Sequence, residues 1–268
     1  MPLHIQLVSV LIAASIAFCL GVGAYGAIRR KFYSDLPSIP QFPGSKFPGF
    51  FVQFYTTFFI ISFGAASIAD CVSKTAAPQE DLPFSHMLLS MVVQIALYLP
   101  LILVYFSQPS RLLPGVPLLR RVKWVIFGLM ALCIPAQLLE LAGLTEWIVE
   151  VTGCPSQQEV VEELMRGTPQ VKGLLIFMAV FVAPVTEECC FRGCVYNILK
   201  HWSSPLPAAL ASAMLFGAVH ASLAQFIPLT IFGLVQCYLY EKARSLWLPI
   251  TLHMLFNAIS AIAIISFS

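Results

Sequence analysis

Charged residues are scarce in this sequence, and this scarcity restricts the classes of protein that it can encode. Asp, Glu, Lys and Arg make up 10% of the 268 residues, whereas hydrophobic residues make up 59%. A typical soluble domain contains about 25% charged and about 45–50% apolar residues. The net charge is +2 and no arginine-rich or lysine-rich tract occurs, so nucleic acid is not expected as a partner. The composition indicates a membrane protein.

The short motifs of many metal and redox proteins are also absent. None of the eight cysteines forms a CxxC pair, and the HExxH signature of soluble zinc proteases does not occur. Seven of the eight cysteines lie inside or beside apolar runs. We therefore expect them to be small buried hydrophobic residues.

Long apolar runs are what the sequence has instead. A membrane-spanning helix needs about 20 consecutive apolar residues. Eight runs are candidate spans, at residues 7–28, 50–73, 86–106, 124–144, 173–199, 206–221, 226–240 and 246–267. We predict an all-α fold, a polytopic membrane helix bundle of about eight transmembrane helices. Between the fourth and fifth runs, Val160, Val161 and Leu164 lie among acidic residues, which predicts a short surface helix.

The basic residues predict an orientation for this bundle. With the N-terminus outside, eleven basic residues fall in inner loops and three in outer loops, and Arg192 remains in the membrane. The inner set is Arg29, Arg30, Lys31, Lys46, Arg111, Arg120, Arg121, Lys123, Lys200, Lys242 and Arg244, and the outer set is Lys74, Arg166 and Lys172. Cytoplasmic loops carry the excess of Lys and Arg. We therefore expect a multi-pass integral membrane protein with its N-terminus outside.

Polar residues inside the predicted spans divide the chain near residue 165. Residues 1–165 are predicted to form a four-helix transmembrane region with an outer loop. Residues 166–268 contain most of the polar groups that the predicted spans would bury.

The fifth predicted span contains three charged residues, Glu187, Glu188 and Arg192. Each costs roughly 2.5–3.5 kcal/mol at the centre of a membrane helix. Glu188 and Arg192 are four residues apart, in the favourable order for an ion pair on one helix face. Glu187 is rotated by about 100° from Glu188 and needs another partner. Pro184 lacks an N–H group, so it leaves a carbonyl free in the preceding turn.

Two later spans contain candidate partners for Glu187. His220 lies four residues after Phe216 in the sixth span, and Asn257 lies four residues after His253 in the eighth. Residues four apart share a helix face. Each of these residues alone also fits a structural role, as an interhelical hydrogen bond or as core packing. Their concentration within seventy residues favours a shared functional pocket.

The spacing of these residues resembles three motifs of a known family. EExxxR occurs at residues 187–192, FxxxH at 216–220 and HxxxN at 253–257. In this order on three late helices, the motifs resemble those of the CPBP (Abi) family of intramembrane proteases. That family includes CAAX prenyl proteases and proteins of bacteriocin processing or self-immunity. The resemblance covers residues 170–262 and does not inform on the first four helices. It implies that residues 166–268 form a CPBP/Abi-like catalytic transmembrane region.

The resemblance implies hydrolysis of peptide bonds inside the membrane. It assigns Glu187 as the base that activates water, assisted by His220. Burial raises the pKa of carboxylates in general toward the range where they exchange protons near neutral pH. His253 and Asn257 would donate hydrogen bonds to the oxyanion of the tetrahedral intermediate. Membrane-embedded peptides or lipidated CAAX-type proteins are the implied substrates, the lipid bilayer is the surrounding partner, and a bacterial cell (inner) membrane is the expected location.

Supporting roles are assigned to Glu188, Arg192 and Phe216. The Glu188–Arg192 pair would brace the helix and tune Glu187, although the motif also leaves Glu188 open to a direct part in catalysis. Phe216 would pack beside His220.

A metal site and two other functions remain open from the sequence. Glu187, His220 and His253 would suit a divalent metal such as zinc with one open position for water, but the same groups can activate water without metal. A non-catalytic membrane scaffold or bacteriocin-immunity protein could use the same pocket to bind a partner. A transporter is a third possible function. Many transporters contain paired repeats, and the absence of such a repeat from this sequence argues against it.

Overall fold

The computed structural model describes residues 3–32, 117–155 and 159–267, together with single helical positions at 88, 92, 95 and 99. No strand occurs among these residues. The helices are α1 (Leu3–Phe32), α2 (Leu118–Leu141), α3 (Leu144–Thr152), α4 (Glu159–Arg166), α5 (Pro169–Trp202, in five consecutive stretches), α6 (Pro205–Val219), α7 (Leu223–Ala243) and α8 (Trp247–Phe267). The all-α fold is confirmed.

Helix α5 starts at Pro169 and changes its winding along its length. Its α-helical stretches alternate with two π-helical ones, in the order Pro169–Phe177, Met178–Val182 (π), Ala183–Glu188, Cys189–Tyr196 (π) and Asn197–Trp202. π-Helical turns are rare and occur frequently at functional sites. Neither π-helical stretch is predicted from the sequence.

Within the part of the chain that the structure describes, four helices are long and apolar enough to cross a membrane, namely α2, α5, α7 and α8. The apolar stretches of α1 and α6, at Gln6–Cys19 and Pro205–Val219, are shorter. These six helices correspond to the first, fourth, fifth, sixth, seventh and eighth predicted spans. The second predicted span lies outside the described residues, and of the third only the four single positions are described.

The predicted short surface helix is present as α4, which contains Val160, Val161 and Leu164. Leu164 is buried, whereas Val160 is exposed. A further short helix, α3, follows a turn at Gly143, where φ is +69°. Glycine adopts this left-handed backbone readily. The turn therefore ends α2 at Leu141, before the end of the predicted fourth span.

Small residues bring α6 and α7 close together. A Cβ atom at Gly233 would lie 2.8 Å from both Cα and Cβ of Ala213, and one at Gly217 would lie 2.9 Å from the Phe226 carbonyl. Small residues permit this close backbone approach between membrane helices. The α6–α7 pair is therefore a tightly packed frame for the side chains that project from it.

Helices α1 and α2 cover the outside of this frame. Val8 and Ile12 of α1 form a buried cluster with Ala218 of α6, and Leu132 of α2 belongs to the main core that includes Phe216 and Leu252. Residues on both sides of position 165 therefore contribute to one core. The division into two regions at residue 165 stays a prediction.

Candidate active site

Glu188 is the most heavily hydrogen-bonded acid of the candidate site. Its side chain is fully buried on α5. A single oxygen, Oε1, accepts hydrogen bonds from Arg192 Nη1 at 3.0 Å, from Gln236 Nε2 at 3.2 Å and from His253 Nδ1 at 3.0 Å. Three helices, α5, α7 and α8, are thus joined through one carboxylate.

The ion pair between Glu188 and Arg192 is the one predicted from their spacing. Arg192 also donates from Nη2 to the Gly233 carbonyl of α7 at 3.3 Å. Its guanidinium carbon lies 4.7 Å from the centre of the Phe216 ring, close enough for a cation–π interaction. These partners offset much of the free-energy cost of removing the Arg192 charge from water.

Gln236 is a member of this network that was not predicted from the sequence. It is fully buried in α7. Its Nε2 donates both to Glu188 and to the Pro249 carbonyl of α8, at 3.0 Å for the latter. The signal was available, since Gln236 is an amide within an apolar span, as Asn257 is, but it belongs to none of the three motifs.

The His253 ring lies between the two neighbouring carboxylates. Nδ1 is hydrogen-bonded to Glu188, and Nε2 lies 3.9 Å from Glu187 Oε2. Since a carboxylate accepts and Nδ1 donates, Nε2 is the nitrogen available on the Glu187 side. Phe232 packs against the ring with a centroid distance of 4.7 Å. The sequence predicts a separate partner for each glutamate, whereas the structure places one imidazole against both.

Glu187 is less enclosed than Glu188. Its side chain is 17% exposed, compared with 0% for Glu188. The 3.9 Å separation from His253 is longer than a direct hydrogen bond. Glu187 is therefore the carboxylate of the pair with room to meet another molecule.

His220 approaches this group through an aromatic ring. It caps the C-terminus of α6, and its Nδ1 donates to the Phe216 carbonyl at 2.7 Å. The Phe216 ring lies 4.7 Å from the His220 ring and 6.2 Å from the His253 ring. Among the described contacts, no hydrogen bond or ion pair joins His220 directly to Glu187, Glu188 or His253. Ala221, which follows, has a positive φ of 54°, which turns the chain away immediately after the histidine.

Asn257 holds α8 against α5. Its Nδ2 donates to the Ala179 carbonyl at 2.7 Å. In the π-helical stretch the Ala183 N–H bonds to Met178, and the next donor in this i→i+5 pattern would be Pro184, which has no N–H. Asn257 therefore supplies the donor that Pro184 lacks. The Ala179 carbonyl is thus the free carbonyl that the sequence predicts in the turn before Pro184.

The described residues do not assemble a metal site. No group of three or more His, Cys, Asp or Glu side chains among them is arranged to hold a metal ion. Glu187 and His253 approach each other, but Phe216 stands between His253 and His220. The donor geometry does not fit a zinc ion held by three protein ligands.

The region that contains the candidate site is similar to a known protein family. Residues 169–259 match the family described as Type II CAAX prenyl endopeptidase Rce1-like. The match extends from α5 into α8 and includes all three motifs. The resemblance inferred from those motifs is thereby confirmed over about a third of the chain.

A curated relative agrees with this match. The chain is 29% identical over 118 residues to a Bacillus subtilis (strain 168) protein described as "Putative membrane peptidase YdiL". The alignment covers 44% of this chain and 47% of that protein, so the chain spans less than half the length of the relative it matches. No solved structure gives a significant match.

Proposed function

We propose that this protein is an intramembrane endopeptidase that uses Glu187 to activate water. The observation that carries the proposal is the arrangement of two adjacent carboxylates about one imidazole. Glu188 accepts three hydrogen bonds through Oε1 and holds His253, while Glu187 is partly exposed and faces the other ring nitrogen. A fixed histidine beside a carboxylate that can reach water is the arrangement needed for general-base hydrolysis.

The proposed reaction begins when Glu187 takes a proton from water. The water oxygen then bonds to the carbonyl carbon of the scissile peptide, and the carbonyl π electrons move to oxygen. Protonated His253 Nε2 and the second amide hydrogen of Asn257 are the candidate donors to this oxyanion. Collapse of the intermediate breaks the C–N bond, and the proton held by Glu187 passes to the leaving amine.

His220 is proposed to assist from the end of α6. Because Nδ1 is committed to the Phe216 carbonyl, its Nε2 is the nitrogen available to water or to substrate. Phe216 contacts both histidine rings and the Arg192 guanidinium. Its proposed role is to fix their relative positions.

The proposed substrates are membrane-associated peptides or CAAX-type prenylated proteins. The buried position of the site within apolar helices supports a substrate that itself enters or lies against the bilayer. The family description names a CAAX prenyl endopeptidase, which supports the second class. A bacterial cell (inner) membrane and an outer N-terminus are part of the same proposal, the former supported by the Bacillus relative and the latter by the loop charges.

The first prediction tests this function with purified full-length protein in lipid nanodiscs. Fluorogenic peptides, one farnesylated at a C-terminal CAAX sequence and one an apolar membrane peptide, serve as substrates. We expect Glu187→Gln to lower kcat by about 10²–10⁴-fold, the usual contribution of a general base. Glu140→Gln is the matched control, since Glu140 is an exposed carboxylate of α2 that bonds to Thr145.

Two results would count against the proposal. One is wild-type turnover in the Glu187→Gln protein, and the other is equal loss in the Glu140→Gln protein. If no peptide is cleaved by wild-type protein while Glu187→Gln retains the biological effect of the wild type, the scaffold or immunity function replaces the protease.

A further inference from the structure

A basic cavity lies at one end of the helix bundle, separate from the buried carboxylates. It has a volume of about 450 Å³ and is open to the outside, and the described residues that line it are Arg120, Lys123, Trp124, Phe127 and Lys242. Three of these five residues carry a positive charge, and none is acidic. The cavity therefore combines a cationic rim with an aromatic wall.

The cavity is formed where two apolar helices end. Arg120 and Lys123 lie in the first two turns of α2, which starts at Leu118. Lys242 lies in the last turn of α7, which ends at Ala243. The charges thus lie at the ends of two candidate spans, where lipid headgroups are expected. All three residues also belong to the set that the loop charges assign to the inner face.

The three charges have little compensation from the protein. Among the described residues, Arg120 and Lys123 have no ion-pair partner, and Lys242 Nζ lies over the Tyr238 ring at 5.1 Å. Glu241 is adjacent to Lys242 in sequence, but its carboxylate bonds to Lys200. The described residues therefore leave a net positive charge at the cavity mouth.

Aromatic packing gives the cavity a preformed wall. Trp124 packs edge-on against Tyr238 with a centroid distance of 5.7 Å, and against Phe127 at 5.6 Å. Phe127 is 47% exposed, next to the equally apolar and exposed Ile126. Trp and Tyr are typical of the membrane interface, where one end of the side chain is apolar and the other polar. The wall continues from the charges onto the exposed apolar surface of α2.

We propose that this cavity binds the phosphate of an anionic phospholipid headgroup. Phosphate oxygens accept strong charge-assisted hydrogen bonds from Arg and Lys, and basic pockets between membrane helices recognise such headgroups. A soluble phosphate offers the same anionic chemistry, but it would leave the apolar surface of Phe127 and Ile126 unused. Acyl chains would cover that surface. This site is independent of the proposed peptidase reaction.

The test uses full-length protein in nanodiscs of phosphatidylcholine with phosphatidylglycerol as the anionic probe. Native mass spectrometry measures the phosphatidylglycerol that stays bound after release. Each surface cation contributes about fivefold to the affinity for anionic lipid, so Lys123→Gln with Lys242→Gln should weaken retention about 25-fold. The charge-preserving pair Lys123→Arg with Lys242→Arg should retain phosphatidylglycerol.

The matched control removes two basic residues at the other end of the bundle, by Arg166→Gln with Lys172→Gln. Retention should then equal that of wild type. The proposal fails if the Lys123/Lys242 glutamine pair retains phosphatidylglycerol as wild type does, or if both glutamine pairs lose it equally. It also fails if inorganic phosphate alone binds through these residues while phosphatidylglycerol does not, which would identify a soluble anion as the ligand.

Discussion

Glu187 and Glu188 are consecutive residues of one helix, yet they lie in opposite surroundings. On the Nδ1 side of His253, Glu188 is fully buried and accepts three hydrogen bonds from three helices. On the Nε2 side, Glu187 is partly exposed and has one long contact at 3.9 Å. We call these the closed side and the open side. The comparison separates the group that holds the site together from the group left free to react.

The largest expected effect tests this separation through stability. Glu188→Gln leaves the Arg192 charge buried without its carboxylate, which should lower the free energy of unfolding by about 3–5 kcal/mol. Glu187→Gln, on the open side, should change it by less than about 1 kcal/mol. Equilibrium unfolding of both variants in mixed detergent micelles measures the difference. Equal losses would show that the two carboxylates share one structural role.

A smaller effect is expected where the closed side rests on close helix packing. The Gly233 carbonyl accepts from Arg192, and a Cβ atom on Gly233 would meet Ala213 at 2.8 Å. Gly233→Ala should therefore cost about 1–3 kcal/mol through overpacking. Gly173→Ala is the matched control, because its Cβ atom would meet no atom within 4 Å. There the substitution should be neutral or stabilise α5 by up to about 1 kcal/mol; the same unfolding assay compares the two, and equal effects would argue against a packing constraint at Gly233.

The smallest effect is expected at Gln236. Gln236→Leu removes one of three donors to Glu188 Oε1 and the bond to the Pro249 carbonyl, so the expected loss is about 1 kcal/mol of stability. Turnover should also fall, because Glu188 then holds His253 less firmly. Gln225→Leu, at the first turn of the same helix, should change neither quantity. A Gln236→Leu protein that matches wild type in both unfolding and kcat would remove this residue from the closed side.

Local spacing was enough to predict part of this arrangement. The Glu188–Arg192 pair follows from an i,i+4 separation in a helix, and the free carbonyl at Pro184 follows from the missing N–H. The apolar runs likewise gave the six described spans, because hydrophobicity over about 20 residues is a local property.

Contacts between helices could not be predicted in the same way. That one imidazole faces both glutamates depends on how α8 packs against α5, and no residue within either helix encodes that contact alone. The π-helical stretches of α5 have no reliable sequence signature beyond Pro184. Gln236 was overlooked since a lone amide in a span is typical of ordinary helix–helix contacts.

The hydrogen bond from Asn257 to Ala179 pairs two polar groups, each of which would be costly in a membrane helix without a partner. A proline within a membrane helix exposes a carbonyl that lipid cannot satisfy, and an amide side chain in a membrane helix needs an acceptor. Each meets the other's need across the α5–α8 contact. Sliding α8 along α5 by one residue would leave both groups without a hydrogen-bond partner. This bond therefore fixes the register between the two helices that contribute Glu187, Glu188 and His253.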